Sequence, residues 1–259
     1  MIRRLLAAAL LVGAAVLVYQ RGFLHLPAAE RGRRLAERTG CFGCHVHEGA
    51  SGAGNPGRVD KTVPSFSGDL MMYVKADTEI VAWIRDGSTA SRRNSEQWKT
   101  ERMRGALRMP SFRRRFSDAQ IGDLAAYVMA MGGRPAPAES LAKRGLERMA
   151  TLGCEGCHGA GGRLARPNPG SLKGYVPSWD GPDFAELVRG RSEFDEWVKH
   201  GISARFDANA LAKYFLRRAV LKMPAFEKHL EPGDLDALWA YVTWLRGPHP
   251  AGDAPPEME

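Results

Sequence analysis

The chain has 259 residues, 44% of them hydrophobic, and a formal net charge of +8. That length holds one large or two modest domains, and the apolar content excludes a wholly disordered chain. The charge is uneven: residues 23–134 carry 18 Lys+Arg against 12 Asp+Glu, and residues 135–259 carry 16 against 17. Such asymmetry points to an acidic partner for one half. No basic helix or aromatic strip accompanies it, which argues against nucleic acid as that partner.

Residues 1–22, "MIRRLLAAALLVGAAVLVYQRG", read as a targeting segment. Arg3 and Arg4 precede an apolar run of 15 residues, Leu5 to Tyr19, roughly 22 Å of helix at about 1.5 Å per residue. The run is short for a bilayer span and long for a cleaved core, so a retained membrane anchor and a removed signal peptide both stand. Either way Arg3 and Arg4 stay in the cytoplasm and the rest is exported, to the periplasmic side of a bacterial inner membrane.

A helix is expected over about 28–39, ahead of Cys41. The stretch "TEIVAWIRDG" follows as a second helix. A third starts at Ser117, where Ser-x-x-Gln with Gln120 forms a capping-box pattern and Ile121, Leu124, Ala125 and Val128 share a face. "GGRPAPAE" then breaks the helix. The same order returns: a helix over about 138–151, one over "FDEWVKHG", and one from near Pro232 with Leu235, Leu238 and Val242 on one face. No segment alternates as a strand does. Long Gly/Pro-rich stretches such as "GASGAGNPGRVDKTVPSFSGD" suggest loops wrapped around something large. The tail after Gly247 is too rich in Pro and Glu to pack.

The two series are copies. Cys41-Phe-Gly-Cys44-His45 recurs as Cys154-Glu-Gly-Cys157-His158, and "VPSF" (63–66) as "VPSW" (176–179). "WIRDG" (83–87) recurs as "WVKHG" (197–201), "LRMPSF" (107–112) as "LKMPAF" (221–226), and "DLAAYV" (123–128) has its counterpart in "DALWAYV" (236–242). The units are therefore an N-terminal segment 1–22, a first domain 28–133, a linker 134–140, a second domain 141–247 and a tail 248–259.

All four cysteines lie in the two Cys-x-x-Cys-His units. A zinc ribbon or a four-cysteine iron–sulfur cluster would have to join pairs a whole domain apart. A thioredoxin-type dithiol needs a preceding strand. With only 7 histidines in the chain, one directly after each pair is the haem-attachment signature. The two thiols add to the two vinyl groups of one porphyrin edge. The two residues between them turn both sulfurs toward that edge, and the adjacent imidazole meets the iron. His47 has only Ala160 opposite it in the second copy and is read as a bystander near the haem; His25, His200, His229 and His249 have no counterparts and are assigned to the surface.

Each iron then needs a second ligand or stands open. Met109 and Met223 lie in matched Met-Pro pairs, 64 and 65 residues after His45 and His158, with flanking Leu and Phe in register. The metal ligands are therefore read as His45 with Met109 and His158 with Met223. Thioether sulfur is a soft neutral donor that raises a haem's reduction potential. The proline stiffens the loop.

With "GRRLAERTGCFGCH" and "GLERMATLGCEGCH", the Met-Pro loops and the closing helices, each copy resembles a class I cytochrome c domain. The resemblance covers about 28–247. It implies an all-α fold of two tandem domains, each of a few helices and long loops around a covalently attached haem, two haem c groups in all. It further implies that the carbonyls of Pro64 and Pro177 accept the ligand imidazole N–H and that Gly32 and Gly145 mark a close helix crossing against Tyr127 and Tyr241. Trp83 and Trp197 would line the haem. Residues 87–105 are longer and more polar than the family usually has, and are expected, like 201–219, to serve partner docking.

Two six-coordinate irons imply an electron carrier with no catalytic residue, between redox proteins at the outer face of the membrane, alone or as a subunit of a respiratory complex. Arg102, Arg104, Arg108, Arg113, Arg114 and Arg115 suggest a positive ring for an acidic partner of the first domain. Arg217, Arg218 and Lys222 in the second are expected to be offset by Glu227 and the acidic start of the last helix. The alternative is a dihaem cytochrome c peroxidase-like enzyme, which would need one iron with an open or displaceable ligand.

Overall fold

The computed structural model describes residues 9–16 and 26–248. Most of the expected N-terminal segment, His25, His249 and nearly all of the tail lie outside these. Residues 9–16 are helical, with Leu10, Leu11 and Val12 exposed. Among the described residues no helix is long and apolar enough to cross a membrane.

Eight helices of nine residues or more frame the two halves between residues 26 and 248. In the first half these are α1 (Ala28–Arg38), α2 (Asp77–Asp86), α3 (Glu96–Arg104) and α4 (Asp118–Met131). In the second they are α5 (Ser140–Thr151), α6 (Arg191–His200), α7 (Ala210–Arg218) and α8 (Asp234–Arg246). Local chemistry starts several of them. The Ser117 hydroxyl accepts from the Gln120 N–H while Gln120 Oε1 accepts from the Ser117 N–H, completing the expected capping box. Ser95 and Asn209 accept from the first-turn amides of α3 and α7.

The first and last helices of each half cross closely. A Cβ on Gly32 would lie 2.0 Å from the carbonyl oxygen of Asp123, so α1 meets α4 one turn before the expected Tyr127. A Cβ on Gly145 would lie 2.0 Å from the Ala237 carbonyl oxygen and 2.7 Å from the Tyr241 Cβ. Only glycine permits backbones this near. Leu35, Ile80, Ile84, Ile121, Leu124 and Tyr127 build one core; Met149, Phe194, Val198, Leu238 and Tyr241 build the other.

The fold is mostly helical, as expected, and carries one short ladder in which β1 (Arg166–Pro167) pairs antiparallel with β2 (Tyr175–Val176). Two-residue strands are too short to show alternation. The residues between the halves are fixed on both sides. The Arg134 guanidinium pairs with Asp77 at 2.8 Å, and the Arg163 guanidinium donates to the carbonyls of Arg134 and, at 2.7 Å, Pro135. Leu164 of the second half is fully buried in the first half's core, and Arg166 pairs with Glu48 at 3.0 Å.

Candidate functional site

Among the described residues each half holds a partly open cavity, of about 560 Å³ in the first and about 810 Å³ in the second. Cys41, Cys44, His45, Pro64 and Met109 all line the first. Cys154, Cys157, His158, Pro177 and Met223 all line the second. The Cys-x-x-Cys-His units occupy the tight turns after α1 and α5, where the His45 and His158 amides bond back to the carbonyls of Cys41 and Cys154 at 3.0 Å. The fold thus brings residues more than sixty positions apart to one cavity.

The imidazoles are oriented as expected. His45 Nδ1–H donates to the Pro64 carbonyl at 3.2 Å, and His158 Nδ1–H to that of Pro177 at 3.1 Å. A carbonyl can only accept, so Nε2 is the ring nitrogen left as a donor to a metal. Burial pushes both imidazoles below the ordinary 6.5, and the proline carbonyls oppose this only in part. Both rings are therefore neutral near pH 7, the state a ligand needs. Burial also raises the Cys41 thiol and pushes that of Cys154 up to about 11.

Trp83 and Trp197 line the cavities, and their indole N–H groups donate to the carbonyls of Tyr73 at 3.3 Å and Leu187 at 3.0 Å. His47 stands outside the cavity, exposed and bonded to Ser51 Oγ at 2.9 Å. His200 and His229 are exposed.

The segments expected to be docking insertions also contribute to the cavity walls. Trp98 and Arg102 of α3 face the first cavity, and Ala212, Phe215 and Leu216 of α7 face the second. The positive ring is also redrawn. Arg58, Arg102, Arg108 and Arg115 line the first cavity with no acidic side chain among its lining residues, although Arg58 pairs with Asp60 at 3.1 Å. Arg104, Arg113 and Arg114 do not, and Arg113 pairs with Asp86 at 2.6 Å. Around the second cavity Lys173, Lys213, Arg217 and Lys222 are offset by Asp183, Glu186 and Asp207. Glu227, Asp234 and Asp236 do not line this cavity: Asp234 is buried against Arg148 at 2.7 Å and Asp236 pairs with Arg191 at 2.8 Å.

Asn55 and Asn168 were missed from sequence. Asn55 is 4% exposed; its amide donates to the Leu107 carbonyl at 3.0 Å, and its Oδ1 accepts from the Leu107 N–H at 2.8 Å. Asn168 does the same to Leu221, at 2.9 and 2.8 Å. Each clasps the backbone two residues before the Met-Pro methionine. The signal was present: Asn-Pro-Gly stands at 55–57 and again at 168–170, and it reads as loop punctuation unless aligned.

Among the described residues no group of three or more His, Cys, Asp or Glu side chains is placed to hold a metal ion. Each cavity instead offers two thiols, one neutral imidazole and one thioether in a mostly apolar lining, a set that fits a porphyrin-borne iron. Among curated proteins, none matches the chain. Compared with known protein families, residues 29–132 match the family described as Cytochrome c.

Proposed function

We propose that the chain carries two haem c groups, one per cavity, and passes electrons between redox proteins at the outer face of a bacterial inner membrane. The observation that carries this reading is the second cavity, where Cys154, Cys157, His158 and Met223 repeat the first cavity's set and Pro177 repeats the carbonyl contact of Pro64. A bound haem c supplies one-electron iron chemistry, while the chain sets ligands, burial and docking. His45 and Met109 would hold the first iron, and His158 and Met223 the second. Pro64 and Pro177 keep each imidazole in one tautomer and one orientation. The mostly apolar lining would limit the access of water to each iron.

The cationic rim of the first cavity suits an acidic partner surface. Residues 1–22 would anchor the chain to the membrane, as a free-standing carrier or within a respiratory complex.

The test is haem content. Purified protein is expected to contain two covalent haems per chain by pyridine haemochrome and mass. Cys154→Ala with Cys157→Ala is expected to leave one. The oxidised protein is expected to be low-spin at both sites and to show the iron–thioether charge-transfer band. One haem in the unaltered chain, or a high-spin centre, sinks the reading.

A further inference from the structure

The two Met-Pro loops are held unequally. Both share the asparagine clasp on Leu107 and Leu221. Both also share a backbone bond from α2 or α6: the Phe112 N–H to the Ile84 carbonyl at 3.3 Å, and the Phe226 N–H to the Val198 carbonyl at 3.0 Å. Beyond these the first loop has four further ties. Arg102 Nη2 donates to the Met109 carbonyl at 2.9 Å, with its guanidinium stacked over Trp98. Ser111 Oγ donates to the Arg85 carbonyl at 2.8 Å. Arg113 reaches Asp86 at 2.6 Å, and its N–H meets the Arg85 carbonyl at 2.9 Å. Arg108 donates to the carbonyls of Gly105 and Met103, at 3.4 and 3.1 Å.

Three of the four side chains that make these ties have no equivalent donor in the second half, whereas Lys222 stands where Arg108 does. Applying the 114-residue offset that relates Met109 to Met223, Arg102 becomes Leu216, Ser111 becomes Ala225, and Arg113 becomes Glu227. The Arg113–Asp86 pair becomes Glu227 and His200, 4.0 Å apart and both exposed. Leu216 has no polar atom to offer the Met223 carbonyl, and Ala225 has no hydroxyl. The second cavity is also the larger.

We infer that the second half is where a small external ligand reaches the iron: Met223 gives up its place to a neutral σ-donor such as imidazole, while Met109 holds. This rests on the His/Met ligation proposed above. The exchange is a ligand substitution. The iron–thioether bond breaks, the sulfur keeps its lone pair and leaves neutral, and the donor's lone pair forms the new bond. No electron or proton moves. The loop must open for this to occur, and a loop with fewer bonds to lose opens more often.

The experiment is an imidazole titration of the oxidised holoprotein, followed by loss of the iron–thioether band. Two phases of equal amplitude are expected, separated by roughly tenfold or more in imidazole concentration. Arg102→Leu should move only the weaker phase toward the stronger. Leu216→Arg combined with Ala225→Ser should move the stronger toward the weaker. Amide exchange on the unaltered holoprotein gives a readout that needs no variant: the Phe226 amide should exchange faster than that of Phe112. A single phase, an effect of Arg102→Leu on the stronger phase, or equal exchange at the two amides overturns the inference. Absence of the band before any imidazole is added removes the ligation reading itself, and the inference with it.

Discussion

Asp234 shows how much one side chain decides. It is wholly buried at the start of α8, bonded to the Arg148 guanidinium at 2.7 Å and to the Glu231 N–H at 2.8 Å. Burial alone would raise its pKa, but the bonds from Arg148 and the Glu231 amide, with the nearby charges of Arg148 and Arg144, outweigh burial and set it below the ordinary 3.8. A depressed carboxylate stabilises the fold above its unfolded pKa, and the contribution drains away as pH falls through the folded value. Asp234→Asn is therefore expected to lower the urea midpoint at neutral pH. The gap to the unaltered protein should close below about pH 4; a gap that persists at pH 2–3 would contradict the assignment. From the sequence Asp234 looked like one of several exposed acids at a helix start. Burial and partnership are tertiary facts, and nothing in the local pattern announces them. Glu48 is a similar case. It sits at φ 56°, where the second copy places Gly161 at φ 58°, and the carbonyls of both accept a tyrosine hydroxyl, from Tyr127 at 2.5 Å and Tyr241 at 2.8 Å. The alignment of the copies pairs the two residues, but the left-handed backbone becomes visible only in the fold.

At the scale of elements the sequence was most legible where a periodic face or a cap carries the signal. The capping box of α4 and the apolar face of Ile121, Leu124, Ala125 and Val128 appear as expected. The start of α8 was placed near Pro232, whereas the helix runs from Asp234 after Gly233 in the left-handed region. The polar segment 87–105 reads as an insertion because α3 has little amphipathic patterning. It becomes a wall by turning Trp98 and Arg102 inward. The glycine crossings allow a paired test. Gly145→Ala puts a methyl 2.0 Å from the Ala237 carbonyl oxygen, an overpacking expected to cost about 1–3 kcal/mol. Gly122→Ala lies within α4 with nothing within 4 Å of the new methyl, and should stabilise by about 0.5–1 kcal/mol. Thermal melts of the two holoprotein variants should move in opposite directions, and a Gly145→Ala protein as stable as its parent would refute the close crossing.

For the whole molecule, the charge asymmetry between the halves was readable by counting, but its arrangement was not. Four arginines gather at the first cavity with no acidic lining residue beside them, while three acids temper the second. Association of the first half with an acidic redox partner should therefore slow as ionic strength rises. Arg108→Glu with Arg115→Glu should flatten that dependence, as stopped-flow rates from low to high salt would reveal; a salt-independent rate for the unaltered protein would refute the docking. The contacts between the halves left no mark in the sequence. Arg163, Leu164 and Arg166 follow a Gly-rich turn in a loop that looks like any other, and their partners lie some thirty to more than a hundred residues earlier.

Leu164 gives the repeat a history. A duplicated unit starts out dispensable, since either copy still has a complete interior. Once the second copy lent this leucine to the interior of the first, that redundancy ended. Loss of the second copy would now leave a hole in the survivor, so the duplication works as a ratchet: each half can be refined separately, but the first no longer has a complete interior by itself.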